Sequence, residues 1–329
     1  MPPSCTQAGC PLSKTGQCLE GLKAVECPNY VSEGLPAPVA QVVARPKETF
    51  DLPSGTALDA SGTYLVGRER IPRVVLLAGE QRSGKTTLIA SLYELFQEGP
   101  VGDFYFAGSR TLPAFEERCH DARMASNREK PDTERTKPAE GLRFLHLCLR
   151  ERSTDIRHQL LLADMSGELY DTLRDSADEC RKYDHIGRAD HLVAMLNGAK
   201  VAKGDHSDSY THTRGLIRSL VDTGVLHAHC NVTLVTTMWD LLAGNERAQA
   251  RVAELEADFR DRFGLKLPRL RTAHVAARPT NTSVAFGDGL GALVSTWISA
   301  AGLPPRPDLQ TIESSREFDR FAFTQERSR

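Results

Sequence analysis

The sequence predicts an α/β fold with a mostly parallel central sheet, and three observations carry that expectation. From Arg73 onward, apolar runs of strand length alternate with longer helical stretches. A glycine-rich loop joins the first of these runs to the first helix. The second and third runs are linked by a short polar turn. Parallel strands need crossover connections, so alternating strand and helix point to a sheet with helices on both faces.

In chain order the strand candidates are VVLLA at 74–78, LRFLHLCL at 142–149, HQLLLAD at 158–164, HLVAML at 191–196, NVTLVTT at 231–237 and RTAHVAA at 271–277. The link RERSTDIR makes the second and third an antiparallel hairpin at one edge. Helices are expected over 85–96, 168–183, 211–224, 245–263 and 289–300. Residues 103–140 form an insertion with helical spacing of Leu112, Phe115 and Cys119.

This body, residues 71–302, has two flanks. Residues 1–30 hold Cys5, Cys10, Cys18 and Cys27, whereas Cys119, Cys148, Cys180 and Cys230 are scattered and read as packing residues. Residues 31–70 read as a linker and covering arm, its first half rich in proline and small residues. The tail, 303–329, opens with PPRP and is largely charged. The chain has 329 residues, near the size limit of one core. Its 41 basic and 43 acidic residues leave a net charge of −2, which does not indicate nucleic acid as a partner. No stretch approaches the roughly 18 apolar residues of a membrane span, and the N-terminus lacks the features of a signal peptide. A cytoplasmic protein is expected.

After VVLLA comes Gly79, Glu80, Gln81, Arg82, Ser83, Gly84, Lys85 and Thr86, followed by Thr87 and LIASLYELF. A strand, a GxxxxGKT loop and a helix form a phosphate-binding loop. Backbone N–H groups wrap a β-phosphate, Lys85 neutralises β and γ oxygens, Thr86 ligates Mg²⁺, and the helix N-terminus adds positive potential. Asp164 ends the third strand and can hold Mg²⁺ through water, while Gly167 leaves room for its N–H to meet a γ-phosphate. Thr237-Met238-Trp239-Asp240 and Ala276-Ala277-Arg278 end the last two strands with the spacing of a base-reading pair. Asp240 can accept from guanine N1–H and its 2-amino group, and the Ala277 N–H can donate to O6. Adenine offers neither match.

Phosphate loop, hairpin, DxxG, TMWD and AAR, each at a strand end, resemble the Ras-like P-loop GTPases over roughly residues 70–300. With the N-terminal cysteines, GSRT…FEERCH and TTxWD, the resemblance is closer to the bacterial double-GTPase family, double-GTPase 2. It implies a Ras-like three-layer fold, GTP and GDP as ligands, and a nucleotide-controlled switch acting beside protein partners in bacterial conflict or antiviral defence systems. Met238 stands where the usual base-recognition box has lysine, and Glu168 where Ras-like proteins have the glutamine that orients water. Gln81 is therefore the catalytic candidate, by resemblance to the phosphate loop of dynamin-like GTPases. For switch I, Thr136 is preferred to Thr133 as the Mg²⁺ ligand. Arg135 is either an internal arginine finger or a solvated loop residue. Two further readings stay open: a scaffold that binds nucleotide without useful turnover, and an ATP-using P-loop enzyme.

Cys5, Cys10, Cys18 and Cys27 match in number the thiolates of a structural zinc site, with intervals of four, seven and eight residues and no CxxC knuckle. Arithmetic leaves zinc and free thiols open, and the resemblance implies Zn²⁺.

Overall fold

In the computed structural model the described residues are 4–31, 54–68, 70–120 and 142–299. They belong to two compact units, Met1–Leu52 and Pro53–Arg329. In the first, β1 (Ser4–Cys5) pairs antiparallel with β2 (Tyr30–Val31), and α1 (Leu12–Thr15) lies between them in sequence. Cys10 interacts with Cys5 and Cys18, and Cys27 acts on Cys5 electrostatically, so the four thiols share one neighbourhood. Yet no group of three or more His, Cys, Asp or Glu side chains among the described residues could hold a metal. No metal group among the described residues supports the zinc reading of these four thiols.

The second unit opens with α2 (Tyr64–Gly67); before it, Leu58 exchanges two backbone hydrogen bonds with Phe144. The remaining strands are β3 (Arg73–Gly79), β4 (Phe104–Gly108), β5 (Phe144–Glu151), β6 (Arg157–Asp164), β7 (His191–Leu196), β8 (Asn231–Thr236) and β9 (Leu270–His274). They form one sheet in the order β4-β5-β6-β3-β7-β8-β9. The hairpin of β5 and β6 is antiparallel, as expected, and β6, β3, β7, β8 and β9 run parallel. The edge differs from expectation. It is β4, antiparallel to β5, inside the stretch read as an insertion.

Alternation along the strands builds three layers. On β3, Leu76 and Ala78 join one core, while Val75 and Leu77 join the other, because successive side chains leave opposite faces. The second core takes α3 (Lys85–Glu98), α4 (Leu112–His120) and α10 (Leu290–Ile298). The first takes α5 (Gly167–Asp175), α6 (Ala177–Lys182), α7 (Gly198–Lys203), α8 (Ser207–Asp222) and α9 (Glu246–Phe263). Helix α9 shows why: Val252, Leu255, Phe259 and Phe263 recur at helical spacing and are all buried, and Asn245 caps its first turn by accepting from the Ala248 N–H at 3.0 Å. The helix expected over 168–183 is two, since Ser176 ends α5 and its hydroxyl caps α6. In α4, Phe115 and Cys119 are buried but Leu112 is exposed. Cys148, Cys180 and Cys230 are buried too, as packing residues should be. No helix among the described residues is long and apolar enough to cross a membrane.

Candidate nucleotide site

The C-terminal ends of the parallel strands gather the motifs on one edge of the sheet, where ligands of open α/β folds bind. Gly79 ends β3. A Cβ there would stand 2.6 Å from Ser83 Oγ and 2.9 Å from Met195 Cβ, so only glycine fits. Gly84 has φ +93° and starts α3 in the left-handed region. Lys85 is buried, and its Nζ donates to the Gly79 and Glu80 carbonyls at 2.8 and 3.1 Å, so the ammonium is held over the loop. Thr86 and Thr87 are half-buried in the first turn of α3, and Gln81 and Arg82 are exposed.

The neighbouring strand ends fasten the loop. Asn197, after β7, donates from Nδ2 to the Arg82 carbonyl at 3.2 Å, while its Oδ1 accepts from the Ala199 and Lys200 N–H groups and caps α7. Thr237, after β8, donates from Oγ1 to the Ser83 carbonyl at 2.8 Å. The buried Glu80 carboxylate turns to Lys200 Nζ at 2.8 Å. Gly198 is required by close approach, since a Cβ would stand 1.9 Å from the Thr237 carbonyl oxygen.

Asp164 closes β6 in register with Leu77, two residues before the end of β3. The Thr86 hydroxyl, in the first turn of α3, is a hard oxygen donor of the kind that suits Mg²⁺. Gly167 begins α5 beside the loop: a Cβ on it would lie 3.4 Å from Gln81 Cβ and 3.6 Å from the Gln81 nitrogen. Ser166 caps this helix and Glu168 is exposed in its first turn. Thr133, Arg135 and Thr136 lie outside the described residues.

Behind the loop a cavity of about 220 Å³ is walled by Gly84, Thr87, Thr237, Met238, Asp240, Ala277, Arg278 and Thr280, among others. Met238 adopts φ +51°, and its Cε comes within 3.9 Å of where a Gly84 Cβ would stand. Trp239 stacks on His274 with centroids 3.7 Å apart, and its N–H donates to the Val275 carbonyl, tying the turn after β8 to the end of β9. Asp240 is only 5% exposed. Its Oδ2 accepts from the Thr280 N–H at 2.9 Å and the Thr280 hydroxyl at 3.1 Å. Arg278 pairs with Glu94 and lies over the Phe286 ring at 5.6 Å.

Sequence reasoning singled out neither Thr280, Asn197, Lys200 nor Gly198. Only Asn197 carried a signal, a capping residue between an apolar strand and a glycine.

This fold and loop define a P-loop nucleotide-binding domain. Within that class the chain belongs to the Double-GTPase 2 family, which residues 73–298 match. No curated protein matches the chain. Among solved structures it is similar to the GTPase-like domain of S. cerevisiae Ski7 bound to GDP and inorganic phosphate, at TM-score 0.38 and 13% identity over 78% of this chain and 49% of that one. It is also similar to the same domain bound to GTP, at TM-score 0.39 and 12% identity over 75% and 54%. The chain therefore spans about half the length of these two structures.

Proposed function

We propose that this protein binds GTP with Mg²⁺ and hydrolyses it to GDP and phosphate, serving as a nucleotide-controlled switch beside protein partners of a bacterial conflict or defence system. The observation that carries the reading is the buried Asp240, on the wall of a cavity that shares Gly84 with the phosphate loop. Thr280 fixes one carboxylate oxygen, which orients the other for guanine N1–H and the 2-amino group. The Ala277 N–H serves O6, and Thr237 and Arg278 complete the base side.

Loop amides from Gly79 to Thr87 and the Lys85 ammonium take the phosphate charge. Thr86, Asp164 and Thr136 (or Thr133) are the metal's ligands; when bound, Mg²⁺ neutralises β and γ oxygens. Gly167 lies against Gln81, so the segment after β6 and the loop meet where a γ-phosphate would separate them. Gln81 orients the attacking water.

A second reading, a scaffold without useful turnover, draws on Glu168, whose carboxylate opposes γ-phosphate charge, and on Met238 in place of lysine. Phosphate release from GTP separates the two: sustained release by the wild type, lost in Lys85→Ala, supports hydrolysis. GTP bound without release supports the scaffold. An ATP-using enzyme is tested by ATP competition against labelled GTP.

A further inference from the structure

Arg82 stands in the phosphate loop with φ +64°, one of three non-glycine residues with positive φ among the described residues. A left-handed backbone is disfavoured for an L residue because its Cβ crowds the following carbonyl. Glycine would avoid that cost, and the chain uses glycine two positions later at Gly84, φ +93°. Ser83 between them is not in the left-handed set, so the backbone alternates in hand, a pattern that turns successive N–H groups toward one anion. The conformation is held from outside the loop: the Arg82 carbonyl accepts from Asn197 and the Ser83 carbonyl from Thr237.

The side chain makes the second observation. Other cations around the loop are engaged, Lys85 by two loop carbonyls, Lys200 by Glu80 and Arg278 by Glu94. Arg82 is exposed and has no side-chain hydrogen bond or ion pair among the described residues. A strained backbone kept at a functional loop, bearing an unengaged guanidinium, calls for a role that glycine could not fill. Glu168, exposed beside the same loop, adds negative charge and increases the need for a cation.

We propose that Arg82 is an arginine finger supplied in cis, a catalytic residue for GTP hydrolysis; the assignment rests on the hydrolase reading above. In the reaction the water oxygen bonds to the γ-phosphorus and the bond from that phosphorus to the β–γ bridging oxygen breaks. The electron pair stays on GDP, and the water proton passes to the released phosphate. Arg82 exchanges no proton. Its fixed charge and planar fork meet the negative charge that builds on the bridging and γ oxygens. Lysine lacks that fork and does not substitute.

The test is single-turnover GTP hydrolysis by the full chain in Mg²⁺, comparing wild type with Arg82→Gly and Arg82→Lys. Affinity for GDP, affinity for GDP plus aluminium fluoride, and melting temperature are measured on the same samples. Arg82→Gly is expected to lose about 10³–10⁵-fold in turnover. It should keep GDP affinity within about threefold, lose the fluoride-dependent gain, and melt no lower than wild type because strain is relieved. Arg82→Lys should stay as slow as Arg82→Gly. Turnover of Arg82→Gly within about tenfold of wild type overturns the proposal, as does a parallel loss of GDP affinity, which would make the residue a builder of the loop only. A wild type that binds GTP without hydrolysing it also overturns it, since a finger in cis needs no partner. A wild type that binds no guanine nucleotide overturns the underlying reading itself.

Discussion

Asp240→Asn separates a base-reading carboxylate from a merely buried one. In the wild type, Oδ2 is occupied by the Thr280 N–H and hydroxyl at 2.9 and 3.1 Å. The asparagine oxygen can keep those two donors, which leaves its NH₂ where Oδ1 stood, facing the cavity. Guanine then meets donors with donors: N1–H and the 2-amino group each lose an acceptor. Hydrogen bonds to a charged acceptor contribute about 1.5–3 kcal/mol each, so two amount to about 3–6 kcal/mol, a weakening of GDP binding by about 10²–10⁴-fold. Xanthine carries a carbonyl in place of the 2-amino group, which accepts from the new NH₂, so XDP binding should rise in the same variant. Titration of GDP, XDP and ADP into both proteins is the assay. GDP affinity within about threefold of wild type, with no gain for XDP, would refute the assignment of Asp240 to the base.

Lys200→Met strands the buried Glu80 carboxylate. The expected loss of stability is about 1–3 kcal/mol, at the lower end because the Lys200 side chain is 34% exposed, and Glu80→Gln in the same chain should recover most of it in urea denaturation. His191 is buried at the start of β7, and desolvation, helped by Arg73 and Arg271, pushes its pKa from 6.5 to about 4. Below pH 6.5 the unfolded chain therefore binds a proton that the folded chain refuses. Stability should fall by up to about 3 kcal/mol as pH drops from 6.5 to 4, and His191→Leu should flatten that part of a urea-midpoint profile.

Much of the sheet was legible because β7 is a fully buried, mostly apolar run, β8 is a fully buried run rich in β-branched residues, and β5 and β6 are joined by a polar turn that a hairpin tolerates. Strand β4 was not. Phe104–Gly108 is five residues, partly exposed, and its pairing slips register between Phe106 and Gly108, so no clean alternation marks it. Helix α7 is six residues that begin on glycine, too short for a periodic signal. The phosphate loop was readable because its chemistry is local, with strand, glycines and lysine consecutive in the chain. Its fastenings were not. Asn197 reaches Arg82 across 115 positions and Lys200 reaches Glu80 across 120, contacts that only the sheet order creates. Thr280 behaves likewise, 40 residues beyond the Asp240 it orients. For the four N-terminal cysteines, counting thiols matched the number for zinc, and no metal group among the described residues supports it.

Nucleotide choice decides whether Asp240 reads guanine. GDP and ADP are titrated in parallel into the wild-type chain in Mg²⁺, with Lys85→Ala and Asp240→Ala as companions. GDP should bind at least about 10²-fold tighter than ADP, that preference should be lost in Asp240→Ala, and GDP binding should weaken in Lys85→Ala. Equal or tighter binding of ADP, or GDP affinity untouched by Asp240→Ala, would contradict it.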